Sequence, residues 1–145
     1  MLADVLDVLL VEPDPLEAEL LLRSLGELAP AERIGVARDG EEALDYLFCK
    51  GRYAGRDPAR PPKLVLLDIK MPKVDGIEVL RRVKASDLRT VPVVVMTSSN
   101  EERDVVESYR LGANSYIVKP VAFEDFVDTV AKIGLYWVLT NRVPQ

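Results

Sequence analysis

The chain has 145 residues, 48% of them apolar, and a formal net charge of −5, a size and balance that suit one compact domain over 1–145 and argue against a basic nucleic-acid footprint. It contains no histidine, which excludes Ser-His-Asp and Cys-His nucleophiles, His-ligated zinc and self-phosphorylation on histidine. The single cysteine, Cys49, a start without a basic leader region and the lack of any apolar run near the ~20 residues of a membrane helix set the expectation of a cytoplasmic protein with no membrane contact.

Apolar runs and helical periodicity alternate along the chain. Leu6 to Val11 reads as a strand and Pro15 to Leu28 as a helix. Ile34 to Ala37 is a short second strand, followed by a helix from Glu41 to Lys50. Leu64 to Asp68 is the third strand, and Ile77 to Ala85 a helix. Val91 to Met96, Glu101 to Leu111, Ser115 to Val118 and Phe123 to about Val138 complete the series as strand, helix, strand and helix. This (βα)5 alternation predicts an α/β, doubly wound, flavodoxin-like fold, a five-stranded parallel sheet with helices on both faces.

Helix starts carry their own marks. Asp14-Pro15-Leu16-Glu17, Asp39-Gly40-Glu41-Glu42 and Asp75-Gly76-Ile77-Glu78 each place a capping acid three residues before a glutamate. Ser99-Asn100-Glu101-Glu102 offers the same signal for the fourth helix. The segment from Gly51 to Pro62 is long for a helix-to-strand connection. It reads as a solvated surface loop, or else as one whose Arg52, Arg56 and Arg60 contact an acidic partner.

If the strand order is 2-1-3-4-5, strands one and three flank the crevice where the order reverses, and parallel sheets bind ligands outside the carboxyl ends of their strands. Glu12 and Asp68 then face each other, with Thr97 and Lys119 arriving from strands four and five. Two carboxylates about 4 Å apart repel by roughly 4 kcal/mol at an effective dielectric near 20. Such a crevice attracts a divalent ion, and magnesium is the natural occupant. A carboxylate nucleophile flanked by a cation and a hydroxyl suits phosphoryl transfer. Taken singly, Thr97 is a turn hydroxyl, Lys119 a solvated lysine, Tyr116 a half-buried strand aromatic and Cys49 a semi-buried residue at a helix end.

These separated motifs, with Leu-Leu-Asp68-Ile-Lys-Met-Pro-Lys-Val-Asp-Gly at their centre, resemble the receiver domains of two-component response regulators over almost the whole chain. The resemblance implies that Asp68 accepts a phosphoryl group from the phosphohistidine of a sensor histidine kinase. It further implies Thr97 as the switch hydroxyl, Lys119 as the phosphate-pairing lysine and Tyr116 as the aromatic that reports the position of Thr97. Glu12, Asp68 and the backbone carbonyl of Lys70 would hold Mg2+, and the Lys119–Pro120 bond is expected to be cis. One departure stands out. Where the family carries two adjacent acids after strand one, this chain has Glu12-Pro13-Asp14. Asp14 either lends a metal ligand from one residue further on or, with its capping signature, serves as the N-cap of the first helix.

The last helix places Phe123, Phe126, Val127, Val130, Ile133 and Trp137 on one face, and Leu135, Tyr136, Val138 and Leu139 make its end apolar all round. An extension over about 134–145 is therefore expected either to form an interface or to pack on the chain's own core. Tail and long loop together resemble the stand-alone response regulators that pair with bacterial phytochrome kinases. That narrower resemblance implies a homodimer through strand five, the last helix and the tail, with Leu135, Tyr136, Trp137 and Val138 as interface residues, and a bacteriophytochrome histidine kinase as phosphodonor, the signal passing through partner contacts. The rival readings are a pseudo-receiver, a protein-binding module that is not phosphorylated because Pro13 weakens the metal site, and a phosphohydrolase using Asp68 as nucleophile, which lacks a second acid at the required spacing.

Overall fold

The structure is a computed structural model that describes residues 2–26, 29–71, 73–98, 100–119, 125, 128, 129, 131, 132, 136 and 137. Strands β1 (Val8–Val11), β2 (Ile34–Ala37), β3 (Leu64–Leu67), β4 (Val93–Thr97) and β5 (Ser115–Val118) alternate with helices α1 (Pro15–Leu25), α2 (Gly40–Leu47), α3 (Gly76–Lys84) and α4 (Glu102–Arg110). The strands pair in parallel in the order β2-β1-β3-β4-β5, as the alternation predicts. Asp125, Asp128, Thr129, Ala131 and Lys132 have helical backbone where the last helix is expected. Phe123, Phe126, Val127, Val130, Ile133, Leu135, Val138, Leu139 and the Lys119–Pro120 bond, expected cis, lie outside the described residues.

The apolar runs are strands because both faces of the sheet are covered. Side chains alternate along a strand, so Leu9, Val11, Val65, Leu67, Val93 and Val95 enter one core. That core contains Ala43, Leu44 and Leu47 of α2 and Val79, Leu80 and Val83 of α3. Val8, Leu10, Leu64, Leu66, Val94 and Met96 enter the other, with Leu21 and Leu25 of α1. β1, β3 and β4 are buried throughout, which is why their sequence is a continuous apolar run rather than an alternation.

Three helix caps form at the marked positions. Asp14 accepts from the backbone N–H of Leu16 and Glu17, Asp39 from Glu42 and Asp75 from Ile77. The fourth does not. Helix α4 begins at Glu102, so Glu101 occupies the N-cap and makes no side-chain capping bond. The expected spacing fails because Glu102 is the first residue of the helix, not its third. Two glycines are demanded by close approach, since a Cβ on Gly40 would lie 2.0 Å from the carbonyl oxygen of Val74 and one on Gly76 would lie 2.3 Å from that of Asp68. Gly76 thereby lets α3 start directly against the backbone of Asp68.

The long connection is not simply solvated. Arg56 is only 4% exposed, and its guanidinium donates to the backbone carbonyls of Asp4, Tyr46 and Arg60. It also lies 3.8 Å from the Tyr46 ring centroid. One of the three loop arginines is therefore an internal clasp between the amino-terminal segment, the end of α2 and the loop, and is not free for an acidic partner. Arg52 and Arg60 remain exposed. Cys49 is the half-buried helix-end residue expected, with φ of 56°.

Candidate functional site

Register brings the acids together. Val11 pairs with Leu67, so Glu12 and Asp68 leave adjacent strands at the same level. The N–H of Asp68 donates to the Val11 carbonyl at 3.1 Å. On the other side, the N–H of Lys119 donates to the Thr97 carbonyl at 2.8 Å, tying the ends of β4 and β5. Glu12 is 3% exposed, Asp68 8% and Thr97 fully buried.

The Lys119 ammonium sits among three carboxylates. Its Nζ is 2.8 Å from Glu12 Oε1, 3.1 Å from Asp68 Oδ2 and 2.5 Å from Glu17 Oε2. All three donors of the ammonium are thereby matched. The second oxygens are engaged differently: Asp68 Oδ1 accepts the N–H of Lys70 at 3.0 Å, and Glu12 Oε2 accepts the N–H of Asp14 at 3.2 Å.

Burial shapes the titration of the crevice. Removal from water pushes the Glu12 carboxyl from 4.5 up to about 7, against the pull of the Lys119 hydrogen bond and charge, and the charge of Asp68 adds to the rise. For Lys119, burial alone would favour the neutral amine. The hydrogen bonds of Glu12 and Glu17 and the charge of Asp68 outweigh it and hold the group above its ordinary value, as an ammonium.

The expected site residues that the structure describes have definite places, while Leu135 and Val138 lie outside the described residues. Glu12, Asp68 and Lys119 meet in one cluster. Thr97 ends β4 beside them, and Tyr116 lies in β5, partly buried against the core, its N–H donating to the Tyr109 hydroxyl at 3.1 Å. Lys70 stands two residues past Asp68, its own ammonium 3.5 Å from Asp104. Asp14 is the N-cap of α1, with Oδ1 on the N–H of Leu16 at 2.9 Å. Of the tail residues, Trp137 packs against the α1-side core while Tyr136 is half exposed.

Glu17 was not foreseen as a site residue. The sequence shows it as the third residue of a capping box, yet its carboxylate turns to Lys119. A signal was present, because Glu17, Leu21 and Leu25 fall at i, i+4 and i+8, and Leu21 and Leu25 are buried against the sheet. The first member of that stripe must overhang the strand ends.

Oxygens of Glu12, Glu17 and Asp68 all lie within 4.8 Å of one another. An all-carboxylate donor set is what a hard divalent cation prefers, and the Lys119 ammonium already stands in it as a cation. The residues present fit a divalent ion.

Residues 8–131 match the response regulator receiver domain. The chain is 44% identical over 138 residues to a probable methanogenesis regulatory protein, FilR2, of Methanothrix harundinacea, covering 94% of this chain and 86% of that one. It is 36% identical to the response regulator Rcp1 of Synechocystis, with 94% and 92% covered. The Mn2+-bound structure of Rcp1 superposes with a TM-score of 0.85 over 95% of this chain and 98% of that one. The phosphorylated cyanobacterial phytochrome response regulator RcpA superposes with a TM-score of 0.88 at 34% identity, over 97% of this chain and 99% of that one.

Proposed function

Because the chain belongs to the response regulator receiver family, we propose that it is a single-domain relay in which Asp68 is the phosphoacceptor for a sensor histidine kinase of the phytochrome type. The observation that carries this reading is the Lys119 ammonium 3.1 Å from Asp68 Oδ2, at the rim of a buried parallel sheet. A carboxylate oxygen of Asp68 attacks phosphorus, the bond from phosphorus to the donor's imidazole nitrogen breaks, and the donor leaves with the electron pair. Lys119 then balances the charge that arrives on the phosphoryl oxygens. Mg2+, when bound by Glu12, Asp68 and the Lys70 carbonyl, would neutralise further charge. Asp14, whose carboxylate caps α1, is not needed for it.

Thr97 serves as the switch hydroxyl and Tyr116 as the aromatic that follows it. Val106, Tyr109 and Val118 are exposed apolar residues on α4 and β5, a surface through which such a change would reach a partner in the cytoplasm. Beyond self-catalysed phosphotransfer and autodephosphorylation no enzymatic turnover is assigned, and no nucleic acid or membrane is a partner. The apolar tail residues Tyr136 and Trp137, with Leu135 and Val138, would join two copies.

Pro13 favours one second reading, a pseudo-receiver that binds partners without being phosphorylated. Intact mass after incubation with an acyl phosphate and Mg2+ separates the two. A gain of one phosphoryl group that disappears in Asp68→Asn is expected. No adduct from either the small donor or a kinase would leave the pseudo-receiver standing.

A further inference from the structure

We propose that Glu17, one turn into α1, is the third carboxylate ligand of the divalent-ion site and takes the place of the acid that Pro13 cannot supply. This rests on the receiver reading above and names a residue that reading does not use.

Four observations converge on Glu17. Pro13 has no side-chain oxygen, so the position after Glu12 contributes no ligand. Asp14 is spent elsewhere, its Oδ1 being 2.9 Å from the N–H of Leu16 and 3.4 Å from that of Glu17. Glu17 Oε2 is already bound to a cation, the Lys119 ammonium, which Glu12 and Asp68 bind as well. Finally, once all three carboxyls are ionised, they leave a local charge of −2 against the one ammonium, the complement of a divalent ion.

The geometry of α1 makes the substitution physically reasonable. Leu21 and Leu25 are buried on the sheet and hold the helix face that carries Glu17 toward the strand ends. The glutamate side chain is long enough to reach from the helix into the crevice, where its Oε2 meets Lys119 Nζ at 2.5 Å. Its side chain is 37% exposed, against 4% for Glu12 and 10% for Asp68. Glu17 therefore lies on the outer side of the cluster, where an ion would arrive from solvent. Handing Glu17 to the ion also frees one donor of Lys119 for the phosphoryl oxygens on Asp68.

The test measures metal binding by the full chain, without a phosphodonor. Free Mn2+ is counted by electron paramagnetic resonance for the native protein, Glu17→Gln, Pro13→Asp and the double variant, with Mg2+ as competitor. Glu17→Gln is expected to weaken Mn2+ binding by at least about ten-fold, since losing even an outer-shell partner of a ligand costs about that much. Pro13→Asp should restore affinity in the Glu17→Gln background and add less in the native one, a non-additivity that direct replacement requires. Should Glu17→Gln fail to fold, Glu17→Asp, which keeps the charge but shortens the reach by one methylene, is expected to weaken Mn2+ binding in its place.

Unchanged or tighter Mn2+ binding in Glu17→Gln, or in Glu17→Asp where the glutamine variant does not fold, would overturn the proposal, as would no Mn2+ binding by the native chain. Failure of phosphorylation with metal binding and its Glu17 dependence intact would sink the relay instead.

Discussion

A lysine that spends every ammonium donor on carboxylates holds those carboxylates in place, and Lys119 does this for the acids that follow β1 and β3 and for one on α1. Replacing it with methionine leaves buried negative charge without its cation. Lys119→Met should cost about 3 kcal/mol in chemical denaturation with a chelator present, and added Mg2+ should recover part of that loss. Glu12 makes a separate prediction through its raised pKa. The folded chain binds the Glu12 proton more tightly than the unfolded one, so this contribution to stability is full below about 4.5 and is lost as pH rises through about 7. Denaturation midpoints in chelator should therefore fall between about pH 5 and about pH 8, and Glu12→Gln should flatten that slope. Divalent-ion binding should run the other way, strengthening over the same range because the ligand must lose its proton.

At the scale of elements, the site depends on how closely helices approach strands. Gly76 donates its N–H to the Ile69 carbonyl at 3.1 Å, and its missing Cβ is what lets α3 begin against Asp68. Gly76→Ala must push the two apart, at a cost of about 1–3 kcal/mol. The same variant should accept phosphoryl more slowly in the mass assay, because the backbone it displaces carries the acceptor. Arg56 acts on the opposite side of the molecule. Its removal strands the carbonyls of Asp4, Tyr46 and Arg60 and the face of Tyr46, so Arg56→Met should destabilise by about 3 kcal/mol. Amide exchange should then quicken in 51–62 and in the amino-terminal segment while α3 stays protected. The loop is thus tied down from within by one of the arginines that looked available for a partner.

At the scale of the whole molecule, Trp137 packs on the chain's own α1-side core while Tyr136, with its ring centroid 5.0 Å away, stays half exposed. Sedimentation at tens of micromolar is expected to show a dimer, and Tyr136→Ala to shift it toward monomer; a native monomer would remove the tail from the account of signalling. Fold and site differ in how far they could be read beforehand. Strand order, buried faces and the position of Asp68 follow from sequence, because apolar runs bounded by turn signals and helical stripes are local patterns, and a (βα)5 series has few ways to wind. The caps at Asp14, Asp39 and Asp75 follow for the same reason, since their partners lie two or three residues away. Tertiary structure decided the burial of Arg56 and the meeting of Glu17 with Lys119. Each joins groups far apart in sequence, 102 residues in the second case, and only the assembled sheet sets the distance between an α1 carboxylate and a lysine at the end of β5.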